Sequence, residues 1–257
     1  MARRSITIHV LRHGTRQDFV SEKWVSPTGL PKDPPLADAG HTQAKQVAAH
    51  LRSRGQRFAH IFSSPFSRCL QTVEPFARTQ HTKVKIEPGL GEWFSDWHAP
   101  PASPDPPPPP PRAPRFSESD RLFPGMLDPT WVPLWKHPVR WENQDDIHER
   151  LKWTVNAIAD YVDACPPTDN NGIAVHAAGA LDETPNTSST HILLVTHAAC
   201  QIALGRALLG DRYAEINCGV ASFGRFRRDS NARWIMEGNG EVAHLSEGMQ
   251  YNWQFTE

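Results

Sequence analysis

Nowhere in the 257 residues is there an apolar run of the roughly 18 residues that a membrane-spanning helix requires. The opening Met1-Ala2-Arg3-Arg4-Ser5 is followed by no long apolar region either. No signal peptide is therefore expected, and an intracellular site, cytoplasm or nucleus, is the default. Charge of one sign is also lacking: 27 basic and 28 acidic residues leave a formal net charge of −1. A broad nucleic-acid surface needs a marked basic surplus, so direct nucleic-acid contact is not expected, although a local basic pocket remains compatible. Cysteine is scarce. Cys69, Cys165, Cys200 and Cys218 lie far apart, without the paired spacing of zinc or redox sites, and read as buried or free thiols in a reducing compartment. No His-x-His or His-Glu-x-x-His spacing occurs, so neither a metal nor another cofactor is expected. Internal repeats are absent.

The elements that are present alternate. Ile6 to Val10 alternates β-branched residues with others and reads as a strand; His60-Ile61-Phe62, Lys83 to Glu87 and His191 to Thr196 read as three more. Between them, Gly40 to Leu51, the segment after Ser64-Pro65, and Asp145 to Ala164 carry apolar residues at helical spacing, as does Ala198 to Leu209 after the last. Ser64 is expected to cap its helix and Pro65 to take the first helical position. Gly219 to Arg227 and Arg233 to Glu237 are expected to pair through the turn Asp229-Ser230-Asn231. Strands alternating with helices imply an α/β fold, a three-layer α/β/α sandwich with a mainly parallel sheet. The length suits one domain spanning 1–257, interrupted by a proline-rich insertion at about 96–140 and a variable loop at about 165–190. Six consecutive prolines, Pro106 to Pro111, favour an extended chain and mark the insertion as poorly ordered, a surface spacer in preference to a docking site for a proline-binding module. Trp131, Trp135 and Trp141 mark a partly packed lid or the return to the domain.

Ligands of open α/β sheets bind beyond the carboxyl ends of the strands. His13 follows the first strand within Arg12-His13-Gly14, Arg68 opens a helix after the second, and His197 follows the late buried strand. Arg68 falls off the apolar stripe of its helix. Taken singly, it also fits a solvated helix residue, and His197 a satisfied histidine at a strand end. Gathered at one rim, these guanidiniums and imidazoles would hold a tetrahedral oxyanion, assisted by the positive end of the helix that starts at Ala198.

The set Leu11-Arg12-His13-Gly14, Pro35 to Ala44, Ser63-Ser64-Pro65-Phe66-Ser67-Arg68, Gly91-Glu92-Trp93 and Val195-Thr196-His197-Ala198 resembles the histidine phosphatase superfamily, the phosphoglycerate mutase-like fold. Arg16 and the His197-Ala198 pair are most similar to two branches. One holds the suppressor-of-T-cell-receptor-signalling phosphatases, the other the fungal phosphatase-like subunit of transcription factor IIIC. Thr15 departs from an acidic or amide residue common in the family, and Ala198 from a glycine. The resemblance implies a metal-independent phosphatase acting on phosphomonoesters, small molecules or phosphoproteins. His13 would be the nucleophile that becomes phosphohistidine, with Arg12, Arg68 and His197 on the phosphoryl oxygens. Arg16 and Ala198 would add substrate contacts, and Glu92 would protonate the leaving oxygen and then activate water. For that, the carboxyl of Glu92 would need a raised pKa, which Trp93 could favour; otherwise activity should be best in mild acid. The second branch implies a different role, an assembly subunit of the RNA polymerase III factor with weak catalysis and other factor subunits as partners. A phosphoglycerate mutase is a third reading, weakened by the insertion after Glu92, which does not resemble the mutase lid.

Overall fold

A computed structural model describes residues 5–80, 82–99, 110, 112–165 and 189–255. The elements run β1 (Ile6–Arg12), α1 (Asp38–Ser53), β2 (His60–Ser63), α2 (Ser67–Gln80), β3 (Val84–Ile86), α3 (Phe116–Leu122), α4 (Gln144–Ala164), β4 (Thr190–Thr196), α5 (Ala198–Leu209), β5 (Phe223–Arg228) and β6 (Trp234–Glu241). The sheet has the order β3-β2-β4-β1-β5-β6. Four strands are parallel, and β5 and β6 add an antiparallel edge. Such a sheet must be covered on both faces, and the pleat divides its side chains accordingly. Ile6, Ile8, Val10, Phe62, Ile192 and Leu194 pack with α4 and α5. Leu11, Ile61, Leu193 and Val195 pack with α1 and α2 on the other face. The three-layer α/β/α fold is thus the one that the alternation implies. Among the described residues no helix is long and apolar enough to cross a membrane.

Register decides where the chemistry gathers. Arg12 pairs with Thr196, and Ser63 with Val195, so the carboxyl ends of β1, β2 and β4 finish level. The ladder runs one step further, with His13 N–H donating to Thr196 O at 3.0 Å and Ser64 N–H to Val195 O at 2.9 Å. His13 and His197 therefore leave adjacent strands side by side.

Three local expectations change. α2 begins at Ser67, not at Pro65, and its cap is not Ser64: Asp33, from the loop after β1, accepts from Ser67 N–H at 2.8 Å and Ser67 Oγ at 2.7 Å. A carboxylate brought from 34 residues away replaces the local cap. β5 begins at Phe223 because Gly219 to Ser222 form a turn closed by Ser222 N–H to Gly219 O, with Ala221 at φ 54°. The insertion is packed over 112–142. It contains α3, bridges β3 at Leu127, sets Trp131 against Phe62 at 5.3 Å between ring centres, and ties Leu134 and Trp135 N–H to the buried Glu87 carboxylate. Of the six prolines all but Pro110 lie outside the described residues, as does the variable loop over 166–188.

Candidate active site

The loop after β1 is held by backbone approach and two side chains. Gly14 N–H donates to Thr72 Oγ1 at 3.0 Å, and Gln43 Oε1 accepts from Thr15 N–H at 2.8 Å. A Cβ on Gly14 would stand 2.9 Å from Gly40 O, and one on Gly40 only 2.2 Å from Thr15 O, so this crossing admits glycine alone. Within it His13 Nδ1 lies 2.8 Å from Gly14 O. A carbonyl only accepts, so Nδ1 carries the proton and Nε2 keeps the lone pair. The ring is 1% exposed, and its centre is 5.3 Å from that of His197.

Around these imidazoles the structure gathers all the charged residues expected there. Arg68 is 1% exposed, so the solvated reading of this residue is overturned. Its guanidinium stacks over Phe66 and donates from Nη2 to Glu92 Oε2 at 3.0 Å. The same oxygen is 3.6 Å from Arg16 Nη1 and 3.3 Å from His197 Nδ1. His197 Nε2 shares a 2.8 Å hydrogen bond with Ser64 Oγ, a residue first read as a cap. Arg12 is divided: Nη1 donates to Cys218 O and Tyr251 O, both at 2.6 Å, while its Nε has no partner among the described residues. Arg68 Nε and His197 Nδ1 likewise lack an aligned acceptor. Buried donors without acceptors are rare and point to a ligand. Arg16 lies at the rim, forked onto Asp18 at 2.8 and 2.6 Å. Ala198 is the first residue of α5, whose positive end opens directly beside His197.

The electrostatics follow from burial and this crowd of cations. Desolvation, then Arg68, His197 and Arg12, hold the His13 pKa well below the ordinary histidine value, so the ring is neutral. His197 is held at about 4 by burial, against the pull of Glu92. Glu92 goes opposite to expectation. Its burial alone would raise the pKa, yet His197, Arg68 and Arg16 together bring it well below the usual carboxylate range. Trp93 does not oppose this, because its indole packs edge to face with Trp253 and Phe255 and donates to Glu142 O. In front of Glu92 and Arg68 opens a cleft of about 400 Å³, walled by Trp24, Trp93, Phe94 and Trp141. His13, Glu92 and His197 offer two nitrogens and an oxygen within 4.8 Å, enough for a divalent ion. The flanking guanidiniums of Arg68 and Arg16 already neutralise that carboxylate, and such a site suits an anion better.

Sequence reasoning missed Asp33, which also approaches Arg68 Nη1 at 3.8 Å, and the buried pair Glu142–Arg150. The one available signal, two acids and a base outside the apolar stripes, is too common to single them out.

A neutral imidazole beside buried guanidiniums at the rim of a largely parallel sheet is an arrangement that suits an oxyanion. Comparison with known proteins agrees. A model of the histidine phosphatase superfamily (branch 1) matches residues 8–107, so this part of the chain is similar to that superfamily. It is 28% identical to the transcription factor tau 55 kDa subunit of Saccharomyces cerevisiae, an alignment covering 97% of this chain and 58% of that one. It is 30% identical to the ecdysteroid-phosphate phosphatase of Drosophila melanogaster over 38% of this chain and 17% of the relative. The chain thus spans little more than half of the tau subunit. Among solved structures, the ecdysone phosphate phosphatase of Bombyx mori, in complex with tungstate, superposes with a TM-score of 0.63 at 19% identity, covering 91% of this chain and 93% of that one. That likeness bears on the fold.

Proposed function

We propose that this protein is a metal-independent phosphomonoesterase that works through a phosphohistidine at His13. The observation that carries the reading is the pairing of a neutral His13, lone pair on Nε2, with two buried guanidinium donors, the Nε atoms of Arg12 and Arg68, that lack acceptors among the described residues. The Nε2 lone pair attacks phosphorus, the P–O ester bond breaks, and the leaving oxygen takes a proton from Glu92. Water then attacks phosphorus and gives a proton to Glu92, the P–N bond breaks with its electron pair returning to His13, and inorganic phosphate departs. Arg68 and the Nε of Arg12 hold phosphoryl oxygens, where fixed positive charge counts most. Glu92 shares Arg68 and His197 with the incoming phosphoryl group, so substrate binding weakens the pairing that keeps it ionised and favours its proton uptake. Its ionised form suits the second, water-activating half.

His13→Ala is expected to reduce turnover of p-nitrophenyl phosphate by about a thousandfold or more while leaving the circular dichroism spectrum unchanged. Undiminished turnover, with contaminating phosphatase excluded, would remove the reading. A second reading rests on the tau alignment, which covers 97% of this chain: the protein serves as a nuclear assembly subunit of a transcription factor, with weak catalysis. Co-purification with a large factor from nuclear extract, together with negligible kcat/KM, would favour it.

A further inference from the structure

The segment that delivers Glu92 is fastened carbonyl by carbonyl. Thr196 Oγ1, at the end of β4, donates to Leu90 O at 2.7 Å, and Cys200 Sγ of α5 to Gly91 O at 3.0 Å. From α4, Arg150 Nη1 donates to both Gly89 O and Gly91 O, at 2.8 and 3.0 Å. The other edge of that guanidinium makes a fork with Glu142, Nε to Oε1 and Nη2 to Oε2, each at 2.7 Å, and both residues are buried. The backbone of Glu142 continues the grip beyond the acid. Its N–H donates to Phe94 O at 2.9 Å, and its carbonyl accepts from Asp96 N–H at 3.1 Å and Trp93 Nε1 at 2.8 Å. One ion pair thus holds the chain on both sides of Glu92. Among the described residues, the polar partners of the Glu92 carboxylate are Arg68, Arg16, His197 and the N–H of Trp93.

A buried ion pair is rarely kept for stability, because apolar residues of similar volume serve as well or better; what it supplies is a fixed geometry. Here the planar fork of Arg150 has donors on two edges, and only one edge is spent on Glu142. The other fixes the residue immediately before the carboxylate that must reach the leaving oxygen. We infer that Glu142–Arg150 is the positioning pair for Glu92, and that it sets how fast esters with poor leaving groups are cleaved. This rests on the reading of Glu92 as the proton donor. Proton donation is required only where the leaving oxygen is strongly basic, so misplacement of Glu92 slows alkyl esters selectively. A shift of about 1 Å in such a group costs on the order of a hundredfold.

The test compares glycerol 2-phosphate with 2,4-dinitrophenyl phosphate on the wild-type protein, Arg150→Met, and the double variant Glu142→Leu/Arg150→Met, which leaves no unpaired charge if the single variant fails to fold. The expected result is a tenfold to hundredfold fall in kcat/KM, which reports the first half of the reaction alone, for the alkyl ester, with less than a threefold change in kcat/KM for the dinitrophenyl ester and in inhibition by phosphate. Equal losses on both esters, or no loss on either, would overturn the inference while leaving the phosphatase reading intact. So would a double variant that cannot fold, since the pair would then act through stability. Absence of turnover by the wild-type protein on both esters would remove the reading of the site and this inference with it.

Discussion

On the proposed reading, His13 would owe its reactivity to a proton held on the wrong side for acid–base work and the right side for attack. With Nδ1 donating to Gly14 O and burial opposing protonation, the ring keeps its Nε2 lone pair into mild acid. Glu92 runs the other way: its pKa is depressed, so at neutrality it is ionised and short of the proton that a leaving alkoxide needs. As pH falls towards the depressed Glu92 value, the donor fraction grows while His13, itself depressed, stays neutral. The kcat/KM for an alkyl phosphate is therefore expected to rise from neutrality into mild acid. Glu92→Gln should flatten that limb and lower the rate by about 10²- to 10⁴-fold, with the dinitrophenyl ester much less affected. A wild-type optimum above neutrality would contradict the assignment. His13 was legible in the sequence because it stands directly at the end of a strand, whereas Glu92, in the loop after β3, was indicated only by the family resemblance. The charge state of Glu92 was not legible. Its neighbour in sequence, Trp93, faces Trp253 and Phe255, and the groups that set its pKa arrive from residues 16, 68 and 197.

At the scale of elements, apolar periodicity located α1, α4 and α5 to within two residues, since a stripe needs only one face of a helix to be buried. The starts of α2 and β5 escaped it. Both are set by partners distant along the chain: Asp33 on Ser67 for the helix, and Gln250 O on Val220 N–H and His13 O on Ala221 N–H for the turn before the strand. The crossing of the loop after β1 with the start of α1 gives a sharp prediction. Gly40→Ala sets a methyl group against Thr15 O, a backbone atom that cannot swing aside. Such overpacking is expected to cost about 1–3 kcal/mol, read as a lower denaturant midpoint at unchanged m-value. Because Thr15 and His13 share that loop, turnover should fall too. An unaltered midpoint would mean that the two segments part more easily than their packing implies.

Over the whole molecule, the site exists because four parallel strands finish level and Arg12 of β1, Arg16 of the loop after it and Arg68 of α2 bring guanidiniums to their rim. Those guanidiniums also argue against a metal, although His13, Glu92 and His197 could ligate one. Turnover is expected to survive exhaustive treatment with EDTA and to be inhibited by added zinc, which would occupy the nucleophile; loss on chelation, restored by zinc, would refute a metal-independent reaction. The sequence by itself determined the alternation of elements, hence the layered α/β fold, and the residue types at the strand ends, because period and burial act over a few neighbours. Only the tertiary structure decided that Arg68 is buried, that Asp33 caps α2, that residues 112–142 pack against the sheet edge and that Glu92 is ionised. Each of these is an energy between groups far apart along the chain, and such energies depend on distance in space, which local pattern does not encode.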